Sequence, residues 1–389
     1  MQQNNMSCTK PLVRFSDGRI WKLKKFLEVN DKGIIRDYYD QVAEIKNEKY
    51  VLEALKRNHA QLLPCGQCPA CKMTAASSWA NRMEMELPYH KNAWFLTLTY
   101  DDDHVPWSYN NELGIDINTG EVTVENLTLN FKDLQDFWKR LRRYMEYHGM
   151  AEYEIIVEKD GKQKLKPKFC YFASGEYGGK TKRPHYHAIA YDIPIKEDEL
   201  KVYKKKNGIV YYNCEWLSKI WGNGHLVIAP AEWKAMAYTA RYTTKKIYGK
   251  GAKEKYLEMG ILPEKCLMSK NPAIGARYYY EHAAEIYEKD KIQLKNGKVC
   301  KPPRYFDKLF DLEHSEAKPL TDKEMEGMED TTIKAESEEL KAIKRERRKI
   351  ANDALFAQLK QTGLTMQEYY NLKDAKMQER FKKLIREEI

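Results

Sequence analysis

His185 and His187 flank a single residue in the run His185-Tyr-His-Ala-Ile-Ala-Tyr191. A strand alternates its side chains between two faces, so both imidazoles project from one side and two nitrogen ligands converge on one point. Glu176 lies nine residues before His185, just past a second strand-like run, Lys168-Phe-Cys-Tyr-Phe-Ala-Ser174. An antiparallel return would bring its carboxylate beside the histidines. Two imidazoles and one carboxylate, with coordination positions left open, suit a catalytic divalent cation. Asp101, Asp102 and Asp103 close the run Trp94-Phe-Leu-Thr-Leu-Thr-Tyr100 and are the alternative source of the third ligand. Taken alone, a His-x-His pair is as often a hydrogen-bonding pair as a ligand pair.

A second constellation lies in Glu232 to Tyr248, a stretch without Gly or Pro that reads as a helix. Tyr238, Tyr242 and Lys245, with Lys246 beside it, recur at spacings of four and three, which puts both phenols and a lysine on one helix face. A phenol with a pKa near 10 is a weak nucleophile. It attacks a phosphate effectively when a metal polarises the phosphate and a nearby cation favours phenolate. Without the histidines, the same tyrosine pair would be read as core packing.

Cys65, Cys68 and Cys71 form Cys-x-x-Cys-x-x-Cys, a spacing that suits metal ligation by thiolates better than disulfides in a long chain. A structural zinc needs a fourth ligand. Cys8 is the first candidate, with His59 or His90 behind it; a reduced, metal-free turn is the alternative. Gly175-Glu-Tyr-Gly-Gly-Lys-Thr181 superficially resembles a phosphate-binding loop. Its first required glycine falls on Ser174 and a strand follows where a helix is needed, so no nucleotide site is read there.

The elements that must position these residues are legible in outline. Leu12-Val-Arg-Phe and Arg19-Ile-Trp-Lys form a hairpin around Ser16-Asp-Gly. Lys72 to Leu87 reads as a helix ending at Pro88, and Trp94 to Tyr100 as a buried strand. Residues 101 to 127 read as a loop or irregular hairpin. Phe131 to Tyr147 is an amphipathic helix with the apolar stripe Phe131, Leu134, Trp138, Leu141 and Met145, and with Lys132, Lys139, Arg140, Arg142 and Arg143 on much of the rest. The runs Lys168 to Ser174 and His185 to Tyr191 are antiparallel neighbours. Lys301-Pro-Pro-Arg-Tyr-Phe306 is extended in part, and from about Glu313 the chain turns charged and helix-favouring, predicting helical hairpins or a partly ordered tail. The expected segments are 1–90 with the cysteines, 91–250 with the chemistry, 251–312 as its extension, and 313–389 as the tail.

With 389 residues, 42% of them hydrophobic, the chain is long and apolar enough to exclude wholesale disorder. It has no apolar run of the roughly 20 residues needed to span a bilayer and no secretion signal, so an unexported protein without a membrane partner is expected. The net charge is +10. Residues 313–389 hold 16 basic and 17 acidic side chains, leaving 51 against 40 upstream. The basic surplus, suited to an anionic polymer, therefore belongs to the part that carries the motifs. Lys139, Arg140, Arg142 and Arg143, together with Lys180, Lys182 and Arg183, are the candidate DNA contacts. Exposed aromatics could stack unpaired bases.

The ordered set of Phe95-Leu-Thr-Leu-Thr99, Gly175-Glu-Tyr-Gly178 leading to Arg183-Pro-His-Tyr-His187, and Tyr238-x-x-x-Tyr242-x-x-Lys245 resembles the HUH endonucleases. Within these it is most similar to the replication initiators of microviruses, particularly the gokushovirus branch. Pro64-Cys-Gly-Gln-Cys-Pro-Ala-Cys71, Met268-Ser-Lys-Asn-Pro-Ala-Ile-Gly275 and Lys301-Pro-Pro-Arg-Tyr305 support the resemblance, which covers about residues 60 to 310. It implies an α+β fold, a central antiparallel sheet of ferredoxin-like type with helices on one side. On it Glu176, His185 and His187 would hold Mg²⁺ or Mn²⁺, and Tyr238 and Tyr242 would act as alternating nucleophiles. Lys245, with Lys246 as neighbour, would give electrostatic support. The implied activity is rolling-circle initiation by nicking and rejoining origin DNA through a 5′-phosphotyrosyl intermediate in the bacterial host cytoplasm. Single-stranded and replicative-form DNA, a host helicase and a DNA polymerase would be the partners, and no nucleotide cofactor would be needed. An HUH transposase or plasmid initiator has the same chemistry, and a non-catalytic zinc-stabilised DNA-binding protein is the alternative of a different class.

Overall fold

The computed structural model describes residues 8–24, 48–157, 163–206, 208–241, 251–295, 297–315 and 337–386. The first hairpin forms as its sequence dictates: β1 (Leu12–Phe15) turns through Gly18, at φ +88°, into β2 (Ile20–Lys22). Helix α1 (Glu48–Lys56) and strand β3 (Ala60–Leu63) follow, and then α2 (Pro69–Glu86), which runs into a short 3₁₀ turn at Leu87–Tyr89. β4 (Ala93–Tyr100) is the expected buried strand. The loop after it is an irregular hairpin held by isolated bridges at Trp107↔Leu127 and Ile115↔Val122.

Helix α3 (Phe131–Tyr147) starts where the Asn130 side chain accepts the Lys132 amide. It buries Phe131, Leu134, Phe137, Trp138, Leu141 and Met145. The ribbon β5 (Tyr153–Val157) and β6 (Gln163–Pro167) precedes the paired strands β7 (Cys170–Tyr177) and β8 (Pro184–Tyr191). A second ribbon, β9 (Lys201–Lys206) and β10 (Ile209–Asn213), leads to α4 (Glu215–Trp221) and β11 (Gly224–Pro230). Next come α5 (Trp233–Arg241), α6 (Ala252–Glu258), β12 (Cys266–Met268), α7 (Ala276–Lys289), β13 (Ile292–Gln293) and β14 (Val299–Cys300). Helices α8 (Arg304–His314), α9 (Glu338–Thr362) and α10 (Met366–Arg386) complete the described chain.

The chain divides into two units, one of Met1–Lys72 with Lys301–Ile389 and one of Met73–Cys300. In the first, β2-β1-β3 form a sheet whose Val13 packs with Val51, Leu55, Leu355 and Met366. The charged tail is thus two helices, divided at Gly363 (φ +66°), built onto the N-terminal hairpin. Thr9 Oγ1 donates to Asp374 at 2.6 Å.

In the second unit a seven-stranded antiparallel sheet runs β12-β7-β8-β4-β11-β10-β9. Alternation divides its side chains cleanly. Leu96, Leu98, Tyr171, Ala173, Tyr186, Ala188 and Ile228 face α3 and α4, where Trp138 and Trp221 are buried to 1% and 0% exposure. Phe95, Phe172, Ile189, Tyr191 and Ala229 face the other way and pack with Ala76, Ala80 and Met83 of α2 and Met236 and Ala240 of α5. Helices therefore cover both faces, which corrects the expectation of helices on one side. The reason is in the strands: β7 and β8 are apolar on both faces, and each large aliphatic or aromatic chain removed from water is worth roughly 1.5–3 kcal/mol.

Candidate functional site

β7 and β8 pair in the register Ser174↔His187 and Glu176↔His185, which sets the three polar residues on the sheet face shared with α2 and α5. Glu176 Oε1 lies 2.6 Å from His185 Nε2 and 3.3 Å from His187 Nε2. The cluster is buried, with Glu176 3% and His187 5% exposed, and its ligand atoms all lie within 4.8 Å of one another. The outer nitrogens are held. His185 Nδ1 donates to the Arg183 carbonyl at 3.1 Å, and His187 Nδ1 is hydrogen-bonded to Thr97 Oγ1 at 3.1 Å. With Nδ1 carrying the proton, neutral His185 keeps its Nε2 lone pair for a ligand bond, the usual outer support of a metal-binding imidazole. Burial pushes the Glu176 carboxyl up, but the hydrogen bonds and charges of His185 and His187 outweigh it and hold the group well below the usual carboxylate range. An ionised carboxylate oxygen beside two imidazole nitrogens is a donor set that suits a divalent cation.

Tyr238 comes from α5, whose Met236, Thr239 and Ala240 turn inward and whose Thr239 carbonyl accepts from Ser174 Oγ at 3.2 Å. Its ring stands edge-on to His187 at 5.2 Å and to Phe95 at 6.0 Å, while Phe95 stacks on His187 at 5.5 Å. The Arg241 guanidinium carbon lies 5.9 Å from the Tyr238 ring. Tyr242, Lys245 and Lys246 lie outside the described residues. Asp101 is directed to His104 Nδ1 at 2.6 Å, and Asp102, 93% exposed, pairs with Arg183 at 2.7 Å. Among the described residues it is Glu176, not these aspartates, that joins the histidines.

The candidate DNA contacts divide between the two faces. Lys180 and Lys182 are exposed in the β7–β8 turn, beside Glu176 and His185. Arg183 is fastened to the Tyr100 carbonyl as well as to Asp102. Lys139, Arg140, Arg142 and Arg143 belong to α3, across the sheet from the histidines. Of these, Arg140 donates to the carbonyls of Ile220 and Trp221 at 2.9 and 3.0 Å, closing the C-terminal end of α4. Arg142 lies over Phe169 and Tyr171.

In the first unit Cys8, Cys65, Cys68 and Cys71 form one cluster. Cys8 and Cys68 sulfurs are 3.7 Å apart, and those of Cys65 and Cys71 are 4.0 Å apart. Tetrahedral zinc with bonds of about 2.3 Å would set sulfurs about 3.8 Å apart. The Cys65 amide donates to Cys8 Sγ and the Cys68 amide to Cys65 Sγ, both at 3.3 Å, which stabilises thiolate. Hydrogen bonds from Cys71 and Cys8 hold the Cys68 thiol far below its ordinary range, and Cys71 is pushed up to about 12 chiefly by its bond to Cys68. His90 is not beside these cysteines; it belongs to a network in the second unit.

That network escapes a reading of the sequence. His90 bridges Asp192 Oδ2 at 2.7 Å and Glu86 Oε1 at 3.0 Å, with Cys170 Sγ at 3.5 Å from its Nε2. Arg277 pairs with Glu86 and Glu154, and the Gly275 amide donates to Glu86. A guanidinium already neutralises the acids here, so the group is a buried ion network. Thr97, which orients His187, and Arg241 also carry no motif of their own; Arg241 sits three residues after Tyr238, a spacing that could have flagged it.

The fold and the cluster define an α+β protein whose antiparallel sheet carries a carboxylate and two imidazoles in ligand geometry next to a helix-borne tyrosine. The model of the Replication-associated protein ORF2 family matches residues 93–247, which include every one of these groups. The chain is 30% identical over 312 residues to the Replication-associated protein ORF2 of Spiroplasma virus 4, covering 79% of this chain and 81% of that protein. It belongs to this family of phage replication-associated proteins. It is 26% identical over 254 residues to the Replication-associated protein VP4 of Bdellovibrio phage phiMH2K, 65% and 69% of the two chains. The Replication-associated protein ORF4 of Chlamydia phage 1 is 30% identical over 251 residues, 64% of this chain and 53% of that one. No solved structure matches the chain.

Proposed function

We propose that this protein initiates rolling-circle replication of a circular single-stranded DNA phage by nicking and rejoining its origin, acting inside the bacterial host as an HUH-type endonuclease. The observation that carries the reading is the convergence of Glu176, His185 and His187 with the Tyr238 ring against His187. Glu176 and the two Nε2 atoms would hold Mg²⁺ or Mn²⁺, which when bound polarises the scissile phosphate. Tyr238 Oη attacks phosphorus, the bond to the 3′ oxygen breaks, and that oxygen takes a proton to become the 3′-OH a polymerase extends. The 5′ phosphate stays on the tyrosine, conserving the phosphodiester energy for rejoining without a nucleotide. Arg241, with Lys245 and Lys246, favours the phenolate by charge. Tyr242 serves as the second nucleophile, so that one tyrosine cuts the regenerated origin while the other holds the old 5′ end. Strand separation falls to a host helicase. The four cysteines hold a structural zinc that orders the N-terminal unit.

The test is covalent capture. Purified protein with end-labelled single strands and Mn²⁺ gives a labelled adduct stable on a denaturing gel. Each of Tyr238→Phe and Tyr242→Phe retains part of it, and the double variant and Glu176→Gln lose it. Folded protein that binds DNA but yields no adduct with any strand would refute the nickase in favour of a non-catalytic DNA-binding role.

A further inference from the structure

One edge of the catalytic sheet is a basic ribbon that the proposed chemistry does not use. β9 reads Lys201-Val-Tyr-Lys-Lys-Lys206 and is exposed at every residue. Its pairing with β10 runs from Asn213↔Lys201 to Ile209↔Lys206, but only Tyr212↔Ile228 joins β10 to the rest of the sheet. A register shift at Tyr211/Tyr212 bends the ribbon at the point where it leaves the sheet. Beyond it, Lys204, Lys205 and Lys206 stand opposite Tyr211, Val210 and Ile209. No acidic residue occurs from 201 to 213. None of Lys204, Lys205 and Lys206 has a carboxylate partner among the described residues, and the Lys204 ammonium lies 5.3 Å from each of the Tyr203 and Tyr211 ring centroids.

Strand alternation puts Lys204 and Lys206 on one face of the ribbon and Lys205 on the other. A single strand lying along the ribbon would meet cations on one face. A duplex groove has a phosphate wall on each side, and its major groove, about 12 Å wide, admits a two-stranded ribbon. Ribbon and histidines share one rigid sheet: β9 is four strands from β8, roughly 19 Å at 4.8 Å per step, a span of five or six base pairs at about 3.4 Å each.

We propose that the β9–β10 ribbon enters the major groove of double-stranded DNA and holds the duplex that flanks the nicking site. The choice of DNA as the polyanion rests on the function proposed above; the choice of duplex rests on the two-faced charge.

The experiment compares full-length wild type with Lys204→Gln/Lys205→Gln/Lys206→Gln by fluorescence anisotropy, on a short duplex and on the corresponding single strand, over a range of salt without Mg²⁺ or Mn²⁺. Loss of three phosphate contacts should weaken duplex binding by about tenfold or more and flatten the salt dependence of log K by about 2.7, at 0.9 per phosphate. Single-strand affinity should fall by less than about threefold, so the duplex-to-single-strand ratio drops. Lys204→Gln and Lys205→Gln, on opposite faces, should each flatten the duplex slope by about 0.9. Equal losses on both ligands, or an effect from one face alone, overturn the groove reading. No effect on either ligand also overturns it and leaves the lysines as guards of an exposed sheet edge. Because no cleavage is read, failure of the nickase proposal would show as missing adducts with the duplex result intact.

Discussion

Gly224 pairs with Tyr100 at the end of β11, one residue before the row His225↔Thr99↔His185. Its φ is +136°, and a Cβ built on it would lie 2.4 Å from the Asp101 amide nitrogen, 2.7 Å from the Thr99 oxygen and 2.7 Å from the Tyr100 carbonyl carbon. All three are backbone atoms in or next to a paired strand, so no side chain can swing aside. Gly224→Ala therefore adds a strained backbone, about 1–3 kcal/mol, to a steric overlap relieved only by spreading β11 from β4, about 1–3 kcal/mol more. A loss of about 2–6 kcal/mol is a large part of a typical stability of roughly 5–15 kcal/mol. At about 2–4 °C per kcal/mol for a unit of this size, the melting midpoint should fall by roughly 4–20 °C. Urea unfolding followed by tryptophan fluorescence gives the free energy directly. Gly179→Ala is the internal control: it lies in the β7–β8 turn at an ordinary φ with nothing within 4 Å of the added methyl, and should change stability by less than about 0.5 kcal/mol. Because β4 also carries Thr97, Gly224→Ala should loosen the support of His187 and weaken Mn²⁺ binding in whatever fraction stays folded. A Gly224→Ala protein within about 1 kcal/mol of wild type would refute the claim that this backbone approach is rigid.

The cysteine cluster predicts close to one zinc per purified chain by elemental analysis, lost in Cys65→Ser and retained in Cys266→Ser, which removes a thiol outside the cluster. Zinc sites of this kind contribute on the order of 10–16 kcal/mol of gross binding energy, so chelation should also melt the first unit at lower temperature. Glu176 predicts an acid-side signature in metal-free protein. Its folded pKa is depressed below the usual 4.5, so its contribution is present above that value and is lost as pH falls through the depressed range. Stability curves of wild type and Glu176→Gln should therefore converge on acidification; parallel curves down to the acid limit would show that the histidines do not hold the carboxylate.

Local chemistry was readable where the pattern was local. The His-x-His alternation of β8, the return of Glu176 and the stripe of α3 each need only a two-residue or a three-to-four-residue period, and each lies where that period puts it. Residues 192–231 carry no such signal. β9 has no apolar face, β10 is short, and α4 makes only two turns, yet β11 completes the sheet beside β4 and the whole seven-stranded order depends on it. The ion network was illegible for another reason: His90 and Asp192 are 102 residues apart, and Glu86 and Arg277 are 191 apart. The association of the tail with the first hairpin is equally remote, since Thr9 and Asp374 are 365 residues apart. Composition marks the tail as helical and says nothing of what the helices cover.

The same network explains how a metal site on two thin strands can keep its register before any metal arrives. A slip of β8 by one residue would carry His185 and His187 to the opposite face, into the core under α3. At the Glu176 end little resists this, because the turn through Gly178 and Gly179 is exposed and its glycines are permissive. The resistance lies at the other end of the strands, where Cys170 pairs with Tyr191. There Tyr191 Oη donates to the Met83 carbonyl at 2.7 Å, the Asp192 amide donates to the Asn92 carbonyl, and Asp192 accepts from the Lys91 amide at 2.8 Å while its other oxygen holds His90. A slip would leave these buried groups unpaired at about 1–3 kcal/mol each, more for the charges, which outweighs any gain from re-pairing the strand. The histidines are aimed by bonds made some six residues away along β7 and β8, and the cation would meet a site already formed.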